Sequence, residues 1–314
     1  MHARSAFLLG IVFCLSASVA HAQAPEGRRV LGAARGRLAI IDAQGKVEWE
    51  MPLKSQGHDL HMLPDGDVLT HKDAATVVEI DPARKEIVWS YTSRPRPGYN
   101  GPIEIHAFQR LDDGLTMIAE TGNRRIIEVD RDGVIVHAMD LKIEKPNPHR
   151  DTRLARKLAN GHYLVCQELD GAVHEYAPDG SIVWTYRLDL AGRPAKPGHD
   201  GHGTEVFGAL RLAGGNTLIA AGNGNRLIEV DPAGKIVWSV DHDELPGIEL
   251  KWITSLAVLP NGHVVFGNTH AGPDNPQLIE VDRDKKVVWT LKDFPNFGND
   301  LAAAVVLDPP TAAR

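Results

Sequence analysis

"RLIEVDPAGKIVW" spans residues 226–238, and close copies of it occur five more times along the chain. They are "RLAIIDAQGKVEW" ending at Trp49, "TVVEIDPARKEIVW" at Trp89, "RIIEVDRDGVIVH" at His137, "AVHEYAPDGSIVW" at Trp184 and "QLIEVDRDKKVVW" at Trp289. Each copy is a pair of apolar, β-branched runs joined by an Asp- and Gly-rich turn, the pattern of a β-hairpin. A second phrase comes before the first in each unit, as in "HMLPDGDVLT" (61–70) and "LRLAGGNTLI" (210–219). Its glycines are Gly66, Gly114, Gly161, Gly215 and Gly262, spaced 48, 47, 54 and 47 residues apart. One period running through the chain signals a repeat architecture, and it governs the reading of any local motif.

Each unit contains four short strands, here called a to d, with turn residues every ten or so positions and no helical periodicity. Four-stranded units of this length are propeller blades. The ends set the blade count. Five units are complete, starting near residues 58, 106, 153, 207 and 254. "RVLGAARGRLAIIDAQGKVEWE" supplies strands b to d without an a, and "DLAAAVVLD" (300–308) is a lone strand a. The two ends complement each other. The expected fold is all-β: a six-bladed propeller of four-stranded antiparallel blades, closed by pairing the N- and C-terminal strands so that no sheet edge stays open. The Trp ending each phrase is expected to fill the wedge between blades, so the phrase itself carries architecture.

Residues 1–22 read differently. "AFLLGIVFCLSASVA" is too short to span a bilayer, and Ala20-His21-Ala22 fits a signal-peptide cleavage site. The expectation is a periplasmic or secreted protein whose residues 23–314 form one propeller domain. Cys166 would then be the only cysteine left, so no intramolecular disulfide can form. The formal net charge is -7, or about -8 without Arg4, with no basic run, which argues against nucleic acid as a partner. Nothing later in the chain suggests membrane insertion, and a monomer is expected. There is also no G-x-S-x-G elbow, phosphate-binding glycine loop or cysteine cluster.

At the recurring Asp…Gly-Lys-x-x-Trp phrase the chain resembles bacterial PQQ-like propeller repeats. The pairing of that phrase with "GHDLHMLPDGDVL" is also similar to arylsulfotransferase-like propellers. The resemblance covers nearly the whole mature chain and implies a blade type rather than an activity. PQQ-dependent dehydrogenases of this repeat type have eight blades and a vicinal cysteine pair. This chain lacks both, so PQQ itself is not expected. Arylsulfotransferases use a histidine as sulfuryl acceptor, and His58 fits the His-Asp position of the inner strand.

Long d-to-a connections, such as 91–104 and 138–152, share one face with the b–c turns, and long loops are disproportionately functional. Eight residues before the successive glycines stand His58, His106, Arg153, Phe207 and Thr254. Strand packing needs no His or Arg at such a position. His58, His106 and Arg153 are therefore the candidate catalytic residues, with Asp151, His202, Glu205, Trp252 and Asp300 as candidate ligand contacts. Imidazoles, a guanidinium and an indole around one axis suit a small anionic or hydroxylated, aromatic ligand, including a glycan. A water-filled channel lined by incidental polar groups is the alternative. In "KPGHDGHGTE" (196–205), His199, His202 and Glu205 are candidates for a divalent metal, although an extended loop lacks the fixed spacing of a helical site. His71, Asn123, Arg124, Asn223, Asn225 and His270 would stand behind these groups. Two classes of function remain. One is an enzyme using His for acid–base or group-transfer chemistry, of arylsulfotransferase, lyase or hydrolase type. The other is a non-catalytic cell-envelope scaffold or protein- or glycan-binding propeller.

Overall fold

A computed structural model describes residues 27–54, 57–190, 192–194 and 203–307. The signal-peptide reading and the candidates His199 and His202 lie outside the described residues. The chain forms six four-stranded antiparallel sheets. The first blade holds β1 (Val30–Ala34), β2 (Arg37–Ile41) and β3 (Val47–Pro52). The second is β4 (His61–Met62), β5 (Val68–Asp73), β6 (Thr76–Asp81) and β7 (Glu86–Thr92). The third is β8 (Glu104–Arg110), β9 (Thr116–Thr121), β10 (Arg125–Val129) and β11 (Ile135–Asp140). The fourth is β12 (Ala155–Lys157), β13 (Tyr163–Gln167), β14 (Ala172–Tyr176) and β15 (Ile182–Arg187). The fifth is β16 (Gly208–Arg211), β17 (Thr217–Ala220), β18 (Leu227–Val230) and β19 (Ile236–Val240). The sixth is β20 (Trp252–Val258), β21 (Val264–Thr269), β22 (Leu278–Val281) and β23 (Val287–Leu291). A single helical turn, α1 (Phe294–Phe297), leads to β24 (Ala303–Val306).

β24 completes the first blade. It pairs antiparallel with β1, Val306 opposite Val30 and Ala303 opposite Ala33. The ring therefore closes through both ends of the chain, as the incomplete units require. Apolar clusters lie between successive blades. Leu69, Val77 and Trp89 of the second blade, for example, pack on Ile105, Phe108 and Ile127 of the third. Val30, Ala39 and Ile41 of the first meet Leu278, Leu291 and Phe297 across the closure.

The repeated phrase joins each blade to the next. The indole Nε1–H of Trp49 donates to the Pro82 carbonyl, that of Trp89 to Arg131, that of Trp184 to Pro232 and that of Trp238 to Arg283. Each acceptor sits in the c–d turn of the following blade. The glutamate in the phrase works in the same direction. Glu79 pairs with Arg110 and Arg131, Glu175 with Arg211 at 2.7 Å, and Glu280 with Arg28 at 2.8 Å. Several of these arginines also lie over the Trp rings, as Arg283 does over Trp238 at 4.6 Å. The third blade carries His137 in place of Trp, and its ring stacks on Tyr163 of the fourth blade with 4° between planes. In every blade the c–d pairing shifts register beside the turn, as between Glu229 and Val230. That bulge twists the outer strand towards its neighbour. Gly234 sits at φ 83° in the turn, whereas Lys85 and Lys285 adopt the same left-handed conformation at some cost in strain.

One expectation needs correction. Trp238 is partly exposed rather than fully buried, because its indole lies along the rim of the blade, while Trp89 is buried.

Candidate functional site

The d-to-a connections bring histidines from successive blades to one end of the ring. His58 precedes β4 instead of lying in a strand, and His106 lies within β8. There the pairing passes from Ile105–Glu120 directly to Ala107–Ala119, so His106 is an extra, unpaired residue. Such a bulge re-aims a side chain out of the strand's alternation. It turns His106 towards His58, with ring centroids 4.5 Å apart and planes 30° apart. His149, from the connection after the third blade, stands edge-on to His106 at 5.3 Å and to His58 at 6.3 Å. Phe207 and Trp252 approach His58 from the fifth and sixth blades at 6.4 and 6.3 Å. His58, His106, Phe207 and Trp252, predicted from four separate units, meet around the axis, and His149 joins them.

A cavity of about 190 Å³ opens beside them, lined by Lys54, His58, His71, Asp73, Glu104, Ile105, His106 and His149. Glu104 is its central acid. Its Oε2 lies 3.0 Å from His106 Nε2 and 2.7 Å from His149 Nδ1. Burial pushes the Glu104 carboxyl up, but the two imidazoles outweigh it and hold the group well below the usual carboxylate range. The opposite ring nitrogen of His106, Nδ1, lies 3.0 Å from the Thr152 carbonyl. Burial, with the nearby Arg153 charge, pulls His106 down to about 4 despite the carboxylate beside it. His58 retains some solvent exposure, yet burial, His106 and Arg153 hold it well below the ordinary imidazole value. His71, with Nε2 against the Ile105 carbonyl, is lowered to about 4, chiefly by burial. His58, His71 and His106 are thus neutral at neutral pH beside the Glu104 carboxylate.

Arg153 lies behind this layer. Its Nε donates to Glu168 at 2.7 Å in a buried ion pair, and its guanidinium faces the Trp252 ring at 5.7 Å. Its Nη1 and Nη2 approach His106 Nδ1 at 3.4 Å and His149 Nε2 at 3.3 Å. The sequence suggests a cation at the entrance that could be removed without structural cost, but the guanidinium is buried and paired. Lys54 is the exposed cation among the lining residues.

The other candidates are dispersed. Asp151 is buried, and its carboxylate accepts from the Asn147 and Gly122 amides, tying down the 138–152 connection. Glu205 pairs with Arg150 and accepts from Asn223 at 2.5 Å. Asp300 meets His270 at 3.0 Å, and His270 stacks on Trp252. Thr254 is buried against Thr269. Among the residues that sequence reasoning passed over, Glu104 and His149 complete the cluster. Glu104 carried a readable signal, an E-x-H spacing at the start of an inner strand. His149 carried none, because only the folded connection brings it back over the second blade's neighbour.

The family model described as outer membrane protein assembly factor BamB matches residues 34–231, well over half of the chain. The chain belongs to this family of PQQ-like propellers. Among solved structures, a protein of unknown function from Bacteroides caccae is 23% identical, with a TM-score of 0.73 over 88% of this chain and 98% of the other. A streptogramin B lyase is 12% identical, with a TM-score of 0.56 over 87% of this propeller and 85% of its own chain. Virginiamycin B lyase from Staphylococcus aureus is 14% identical, with a TM-score of 0.53 over 85% and 84% of the two chains. At these identities the likenesses establish a shared propeller fold. No curated relative matches the chain.

Proposed function

We propose that this PQQ-like propeller, exported from the cytoplasm, binds a small anionic or hydroxylated molecule carrying an aromatic group in the histidine-lined cavity. The observation that carries the reading is convergence. His58 and His149 come from different connections and His106 from strand β8, yet their rings meet within 6.3 Å of one another. Packing alone has no need of three imidazoles here, and the repeat offers apolar residues at equivalent positions. Lys54 supplies charge for an anion, the imidazoles supply hydrogen bonds, and Trp252 and Phe207 flank His58 with aromatic surface.

His58 is the group suited to chemistry. Its neutral form can accept a proton or attack an electrophile, whereas His106 has both ring nitrogens engaged. With an aryl sulfate, attack by the His58 imidazole would form an N–S bond, break the aryl O–S bond and release a phenolate. The test uses benzoate, phenyl phosphate and phenyl sulfate as ligands and 4-nitrophenyl sulfate as a reactive probe. Saturable binding of at least one, lost by tenfold or more in His58→Ala, supports the reading, and a burst of nitrophenol confined to chains retaining His58 adds transfer. Binding unchanged by His58→Ala, or no binding at all, overturns it in favour of an envelope scaffold acting through outer loops.

A further inference from the structure

Three side chains able to ligate a metal meet in this cavity. His106 Nε2 lies 3.0 Å from Glu104 Oε2, while its Nδ1 stands 3.0 Å from the Thr152 carbonyl. His149 Nδ1 approaches the same oxygen at 2.7 Å from the other side. All three donor atoms fall within 4.8 Å of one another.

We infer that Glu104, His106 and His149 form a three-ligand site for a divalent transition-metal ion, with zinc the best match. This deepens the pocket reading and rests on it for what the metal would hold. The donor set is two imidazoles and one carboxylate, a combination that zinc takes in sites keeping a fourth position open. The cavity lies on the open side. A bound water or a ligand oxygen would occupy that position. Bonds of about 2.0–2.1 Å place tetrahedral ligand atoms roughly 3.4 Å apart, so the two spacings to Glu104 need to widen by less than about 1 Å. The outer partners are also in place. The Thr152 carbonyl lies 3.0 Å from the far nitrogen of His106, the place where a backbone carbonyl orients a metal-bound histidine. Glu168 pairs with the nearby Arg153 and offsets its charge. His149 is exposed, and it must turn from Arg153 Nη2 to offer its Nδ1 lone pair. The other acidic grouping, Asp65, Asp67 and Glu79, lacks imidazoles and carries no such arrangement.

The experiment uses the full chain, stripped with a chelator, and zinc alone as the probe. Calorimetry is expected to give one ion per chain, and cobalt in its place should show the visible absorption of a four-coordinate site. Glu104→Gln and His149→Ala should each weaken zinc about 100-fold, at the upper end of what even outer partners contribute. His242→Ala, far from the cluster, should leave affinity unchanged. Thermal melting of each variant checks folding, and His149→Ala, at an exposed position, keeps the test open if Glu104→Gln fails to fold. Absence of zinc binding overturns the inference, as does binding that survives both variants. Phenyl phosphate binding measured in chelator separates the two readings, because it depends on Lys54 and His58 and not on the metal.

Discussion

The rim of the ring and its mouth are built from the same six units by opposite rules. At the rim the residues repeat, and each repeated side chain does the same thing. Trp49, Trp89, Trp184 and Trp238 all donate to a carbonyl in the next blade's turn, and the phrase glutamates pair with basic residues of that blade. At the mouth the equivalent positions differ, as His58, His106, Arg153, Phe207 and Thr254. Their side chains meet one another instead of copying one another. Repetition marks what every blade needs to stand beside its neighbour. Departure from it marks the end of the ring where the proposed ligand would sit.

The comparison can be broken first at Arg153, which belongs to the mouth by position but is buried like a core group. Arg153→Ala should destabilise the fold by about 3–5 kcal/mol, because it strands Glu168 in the interior. Chemical denaturation measures this, and a second change, Glu168→Gln, should recover much of the loss. A cost near zero would show that the guanidinium is a surface group after all.

At the rim, Trp89→Ala should cost about 3 kcal/mol, since Trp89 is buried between the second and third blades. Trp238→Ala should cost about 1 kcal/mol, because that ring is partly exposed. Denaturation midpoints of the pair check the ratio. Equal losses would mean that the hydrogen bond to the next turn, which both make, outweighs burial.

A smaller effect belongs to His174, a histidine of the fourth blade that serves architecture. Burial, helped by Arg187, lowers it to about 4, and its Nδ1 meets Thr185 Oγ1 at 2.8 Å. The unfolded chain takes up its proton near pH 6.5 while the folded chain resists to about pH 4. Stability is therefore complete above the unfolded value and falls as pH drops through this window, by on the order of 1 kcal/mol between pH 7 and 5. His174→Asn should flatten that slope. An unchanged slope would locate the acid sensitivity elsewhere.

Architecture was legible because propeller blades reuse one phrase. Spacing alone predicted the blades, their turns and the pairing of β24 with β1. The mouth was legible only in part. Counting back from the glycines found His58, His106 and Arg153, since inner strands keep register with their turns. The count could not show the bulge that redirects His106, the burial of Arg153 or the return of His149, because these depend on how long connections fold over neighbouring blades. Glu104 escaped because its role depends on two partners, one of them 45 residues away. Trp238 was misjudged because strand alternation says which face a side chain takes and not how far the next blade covers it.

The central claim is that the mouth carries chemistry the ring does not need for standing. The direct measurement is phenyl phosphate affinity beside melting temperature, for the parent chain and His58→Ala. The account predicts at least tenfold weaker binding with a melting temperature within about 4 °C of the parent, the shift of roughly 1 kcal/mol. Unchanged affinity, or weakened binding only in a chain whose melting temperature has collapsed, would contradict it.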